Sequence, residues 1–199
     1  MLPQTLPIGD LLPTQVTVGM REVDFKRRCW RKKCNHEAAN YLNPHRIPVA
    51  LGPHARHCLI DRHHLTLALH DEGIWELPVS IVADMSGLSL GEFWTTLEAH
   101  NWTHPFDDQG QRRSYDDMPT SVDDLTDDSY RSLAGALKRS GRYAKDKAPF
   151  SEFRWADFLR CRIPPELVER HFGRALVLAM NLAQSTEAAA LPGWRRYPE

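Results

Sequence analysis

Three things are scarce in this chain of 199 residues: cysteine, net charge and long apolar runs. With 4 cysteines it is too poor in thiols for a disulfide framework, so a buried core must hold the fold and reduced thiols are expected. Its 25 Lys and Arg face 26 Asp and Glu, leaving a formal net charge of −1, which excludes a global electrostatic pull toward a polyanion or a membrane surface. No apolar run reaches the roughly 20 residues of a membrane span. The opening MLPQTLPIGDLLP has neither the basic start nor the continuous apolar stretch of a secretory leader, so a cytoplasmic protein without a membrane segment is expected. Repeats and low-complexity tracts are missing too.

What is present is an ordinary globular balance, 42% apolar and 26% charged residues, in a length that suits one domain or a domain with an appended lobe. The most informative stretch is residues 47–84, IPVALGPHARHCLIDRHHLTLALHDEGIWELPVSIVAD. Residues 49–51 and 58–60 are short apolar runs separated by Gly52, Pro53 and a polar tip, the pattern of two adjoining strands. Asp61 is placed to cap a helix over residues 62–72, with Leu65, Ala68 and Leu69 inward and Gly73 as a left-handed terminator. Trp75, Leu77, Val79 and Ile81 then alternate with Glu76, Pro78, Ser80 and Val82, predicting a half-buried strand. The polar group Asp61-Arg62-His63-His64 therefore falls where a strand ends and a helix starts. A helix start presents backbone N–H groups and the positive end of the dipole, which suits anions.

Residues 12–18 (LPTQVTV) predict an edge strand broken by Gly19. A helix over residues 23–42 carries Lys26, Arg27, Arg28, Arg31, Lys32 and Lys33, a run that is either a solvated face or a contact for nucleic-acid phosphates. Cys29, Cys34 and His36 amount to half a zinc site with no second pair to complete it. Ser89 and Glu92 form a capping box ahead of Phe93, Trp94 and Leu97. Residues 101–128 lack a period and read as a long ordered loop. Beyond it, Asp128 or Ser129 caps a helix with Leu133 and Leu137 inward that Gly141 closes; Ser151 opens another, and Pro164 a last long one. The expected organisation is a core domain over residues 1–100 and a loop with a helical lobe over residues 101–199 packed on it.

At LPTQVTVGMREV, PVALGPHARHCLIDRHHLTLAL, YRSLAGALKRSGRYAKD and FSEFRWADFLR the chain resembles the family named "Putative ParB-like nuclease", a branch of the ParB/sulfiredoxin superfamily. The resemblance implies a mixed α/β fold, a small ParB/sulfiredoxin-like sheet with helices, followed by a helical C-terminal lobe. Within that superfamily sulfiredoxins hold ATP on a Gly-Cys-His-Arg turn, ParB proteins hold CTP on a related turn, and free serine kinases carry Asp-Gly-His-His-Arg. The last is the nearest match. Asp61 falls on its Asp, Arg62 on its Gly, His63 and His64 on its two His, and Leu65 on its Arg, so the grip on phosphate would pass to Arg62 or Arg131. Arg62 also stands where sulfiredoxins have their catalytic Cys, which excludes thiol redox chemistry.

What the resemblance implies is a nucleotide site for ATP or ADP with Mg²⁺, serving phosphoryl transfer or hydrolysis on a small molecule. Glu22, Asp61 and His64 would be catalytic, with Asp61 also on the metal. Arg62, His63, His64, Tyr130, Arg131, Ser132 and Lys138 would hold the nucleotide. Adjacent histidines on a helix point about 100° apart, so the two do not share one metal. The alternative is a nucleic-acid-binding protein or nuclease that grips phosphates through residues 26–33.

Overall fold

The structure, a computed structural model, describes residues 4–33, 42, 46–145, 148 and 150–195. The chain forms two compact units, one of Met1–Val18 with Val23–Thr126, the other of Gly19–Glu22 with Asp127–Glu199. The architecture is mixed α/β.

In the first unit, β1 (Gln4–Pro7), β2 (Leu11–Pro13), β3 (Ile47–Leu51), β4 (His57–Leu59) and β5 (Glu76–Asp84) make one sheet in the order β1-β5-β3-β4-β2. The two apolar runs of the central stretch are indeed neighbours: β3 and β4 pair antiparallel, with Val49 opposite Leu59 and Ala50 opposite Cys58. The helix that follows carries the chain over, and β5 returns parallel to β3 with a register shift between Val49 and Ala50. The edges are β1, antiparallel to β5, and β2, parallel to β4. Two prolines bracketing β1 and the absence of alternation hide it in the sequence. The expected edge strand at residues 12–18 is split: its start belongs to β2, and Thr17–Val18 is a separate short strand of a two-stranded sheet.

Helix α1 spans Met20–Lys33, starting earlier than its periodicity suggests, and residues 34–41, with Cys34 and His36, lie outside the described residues. Helix α2 is His63–His70 and α3 is Leu90–Ala99. The capping box is formed as read: Ser89 Oγ accepts from the Glu92 N–H at 3.4 Å and Glu92 Oε2 from the Ser89 N–H at 2.9 Å. Phe93 and Leu97 of α3 bury against Ala50, Cys58 and Met85. Burial pushes the Cys58 thiol up to about 12, so it packs as an inert apolar group. Among the described residues Cys29, Cys58 and Cys161 are free thiols.

Two details of the central stretch differ from the reading. The α2 N-cap is Arg62, in the left-handed region at φ 69, and not Asp61. The turn sets Asp61 Oδ1 on the Arg62 N–H at 2.6 Å, one residue short of the helix. Trp75 is 67% exposed instead of inward, because the strand starts one residue later and Leu77 and Val79 take the buried face. Gly73 does terminate α2, at φ 77, its N–H donating to the His70 carbonyl at 2.9 Å.

The second unit is helical: α4 (Ser129–Arg139), α5 (Ser151–Arg160), α6 (Pro165–Arg170) and α7 (Phe172–Leu182). Asp128 caps α4, its Oδ1 accepting from the N–H groups of Tyr130 and Arg131. The expected last long helix is two helices, because His171 leaves the helical region at φ −135. Val168 before the break and Ala175 and Ala179 after it bury in the same core, so the apolar pattern runs on across it. That core is built on Leu133, Leu137, Tyr143 and Trp155, the two rings stacked at 4.5 Å. Each buried aromatic polar tip has a partner: Tyr130 OH donates to the Ile163 carbonyl, Tyr143 OH to Ala134 and Trp155 Nε1 to Pro192. Among the described residues no helix is long and apolar enough to cross a membrane.

Candidate functional site

The first unit places Asp61, Arg62, His63 and His64 together where β4 ends and α2 begins. Asp61 is exposed, Arg62 and His64 are half-buried and His63 is buried. A left-handed arginine is costly: its Cβ crowds the following carbonyl, a strain of about 1–2 kcal/mol that a glycine would not carry. Arg62 keeps that conformation, and its Nη1 is buried without a hydrogen-bond partner. A cation held in a strained turn with an unmet buried donor is poised for an acceptor that the protein itself does not supply.

His63 has a different task. Its Nε2 accepts the N–H of Thr14 at 3.1 Å, which puts the ring proton on Nδ1. Thr14, a residue the sequence gives no reason to single out, is the knot of this region. Its hydroxyl sits between the carbonyls of Leu59 at 2.7 Å and Trp102 at 2.6 Å, and its own carbonyl accepts from Thr103 Oγ1 and the His104 N–H, both at 2.9 Å. The start of the long loop is thereby fixed to the end of β2. The expected long loop contains short 3-10 turns at Tyr115–Asp117 and Val122–Asp124. His70 Nδ1 meets Asp123 at 2.8 Å, and Tyr115 stacks on Trp94 at 4.8 Å while its hydroxyl donates to Glu98. Buried beside this knot, Gln15 Nε2 and Thr66 Oγ1 have no partner.

The remaining candidates belong to the second unit. Glu22 forms an ion pair with Arg139, and Lys138 with Glu152. Ser132 is fully buried, its Oγ accepting the Arg21 N–H at 3.1 Å. Tyr130 is held by Ile163 as described. Arg131 is buried with its guanidinium 3.3 Å over the Phe153 ring, and desolvation pulls its pKa below the usual arginine range.

The basic run on α1 is partly neutralised. Arg31 and Arg27 reach Glu72 at 2.6 and 2.7 Å, and Arg27 also approaches Asp71 at 3.4 Å. Hydrogen bonds from Arg31 and Arg27 hold the Glu72 carboxyl at about 2. No group of three or more His, Cys, Asp or Glu stands ready to hold a metal ion among the described residues.

A small curled sheet with a polar strand-to-helix turn after β4 thus defines the class of the protein. The family model described as "Putative ParB-like nuclease" matches residues 4–161, and the chain belongs to that family. The crystal structure of protein Atu1540 from Agrobacterium tumefaciens is similar to it, with 48% identity over 98% of each chain and a TM-score of 0.90. Among curated proteins none matches.

Proposed function

We propose that this chain is a phosphoesterase that acts at the turn of Asp61, Arg62, His63 and His64, with the phosphodiesters of nucleic acid as its substrate class. The observation that carries the reading is Arg62: a strained, left-handed arginine with a buried unpaired donor beside an exposed carboxylate and a half-buried imidazole. The family description points the same way. In this reading the Arg62 guanidinium binds the non-bridging phosphate oxygens and stabilises the charge that grows on them as water attacks phosphorus. His64 delivers a proton to the leaving oxygen as the P–O bond breaks, and the attacking water gives up its proton to solvent. His63 orients the helix start through Thr14 and does not itself touch substrate. Asp61 is the carboxylate that would hold Mg²⁺. When bound, Mg²⁺ would neutralise the phosphate and polarise the attacked centre.

A second reading, nucleotide-dependent phosphoryl transfer with ATP or ADP, draws on the pairing of Arg27 and Arg31 with Glu72, which takes two cations away from any phosphate track along α1. One assay separates the two. Labelled DNA and RNA oligonucleotides and a nucleoside triphosphate panel are each incubated with wild type, R62A and H64A in Mg²⁺. Oligonucleotide cleavage that both variants lose by tenfold or more supports the nuclease reading. Nucleotide turnover lost in the same variants, with intact oligonucleotides, supports the second; activities unchanged in both variants sink both.

A further inference from the structure

We propose that the second unit binds a small oxyanion, a phosphate or a carboxylate, on the guanidinium of Arg131. This residue stands in the first turn of α4 and is only 5% exposed, yet its Nε and Nη1 are buried with no hydrogen-bond partner. Phe153 covers one face of the guanidinium plane at 3.3 Å. A ring on that face attracts the charge but leaves the in-plane N–H donors unmet.

The carboxylates whose charge reaches Arg131 are Glu152, Asp128 and Asp157. Each is committed elsewhere. Glu152 pairs with Lys138, Asp157 with Arg160, and Asp128 accepts from the α4 N–H groups at Oδ1 and from Arg160 at Oδ2, the latter at 2.5 Å. Glu22 is taken by Arg139, and the Tyr143 hydroxyl donates to Ala134. Arg131, Gly135, Lys138 and Arg139 recur at the spacing of one helix face, so Arg131 is the member of that face left without a carboxylate. Buried donors in folded proteins are matched, and arginine matches oxyanions through paired N–H bonds. An incoming phosphate or carboxylate supplies the acceptors that Glu152 and Asp128 do not. This inference does not rest on the chemistry proposed for Arg62 and His64.

The test melts the full-length protein in titrations of sodium phosphate and of sodium acetate, each at constant ionic strength set with sodium chloride. Wild type is expected to show a saturable rise in Tm of a few degrees with at least one anion, and the one that saturates at lower concentration assigns the class. The R62A/H64A double variant, which lacks the phosphate-binding Arg62, keeps a rise, and R131M or R131Q added to that double variant abolishes it. The proposal is overturned by the absence of an anion-specific rise in wild type, by a rise retained in either folded triple variant, or by a rise lost in R62A/H64A. Should neither triple variant fold, the NMR line widths of ³¹P-phosphate and ¹³C-acetate with R62A/H64A decide it: broadening of one supports the site, and broadening of neither overturns it.

Discussion

Thr14 and His63 are joined across 49 residues by one hydrogen bond of 3.1 Å, from a backbone N–H to an imidazole nitrogen. The bond makes His63 part of the scaffold on which the neighbouring polar residues stand. Replacing it with alanine leaves a buried N–H unmatched and a cavity behind. H63A is expected to lose roughly 2–4 kcal/mol of unfolding free energy in urea, against less than about 1 kcal/mol for H64A. Equal losses would contradict this division of labour.

Arg62 allows strain and chemistry to be separated. Glycine relieves a left-handed strain of about 1–2 kcal/mol but adds about 0.5–1 kcal/mol of unfolded-state entropy. R62G should therefore match wild type in stability to within about 1 kcal/mol while losing at least about tenfold in phosphoester turnover, each tenfold being about 1.4 kcal/mol of transition-state stabilisation. Chemical denaturation and steady-state kinetics on one preparation check both halves.

Glu72 sets a pH signature. Its carboxyl is held at about 2 against an ordinary 4.5 by Arg31 and Arg27. A depressed carboxylate contributes stability that is whole above the unfolded value and lost as pH falls through the folded one. The melting-temperature gap between wild type and E72Q should be widest above about pH 5 and close as pH approaches about 2. A gap independent of pH would mean that Glu72 acts by packing alone.

Gly19 and Gly135 both lie against neighbours, with opposite consequences. A Cβ at Gly19 would stand 2.6 Å from the backbone nitrogen of Ser132, which cannot give way. A Cβ at Gly135 would meet Glu22 Oε2 at 2.7 Å, the end of a flexible side chain. G19A is expected to cost about 1–3 kcal/mol. G135A should be nearly neutral, since alanine gains about 1 kcal/mol in a helix interior and Glu22 can swing aside. Thermal melts of the two variants make the comparison.

Much of the fold was legible where a local rule decides the outcome. Ser89 with Glu92, Asp128 at the start of α4, and Gly73 after α2 each work through neighbours within a few residues. The hairpin of β3 and β4 is equally local. What escaped depends on distant partners. That His63 Nε2 is occupied follows from Thr14, and that Arg27 and Arg31 are neutralised follows from Glu72, 45 and 41 residues away. The break at His171 was hidden because Val168 and Ala175 keep one apolar phase across it. At the candidate site the order Asp-Arg-His-His drew attention to the turn, but the left-handed Arg62 was not visible, because arginine carries no sign of the backbone it adopts.

The chain passes between its two units at three points, after Val18, after Glu22 and after Thr126. At the start of α1, the Met20 N–H donates to Asp127 at 2.7 Å and the Arg21 N–H to Ser132 at 3.1 Å, so a chain stopped at Thr126 would open this helix start. Splicing a gene at that position would therefore not yield two transplantable modules. Recombination that exchanged the C-terminal part alone would have to carry residues 19–22 with it, and a lineage keeping one unit would have to rebuild that turn.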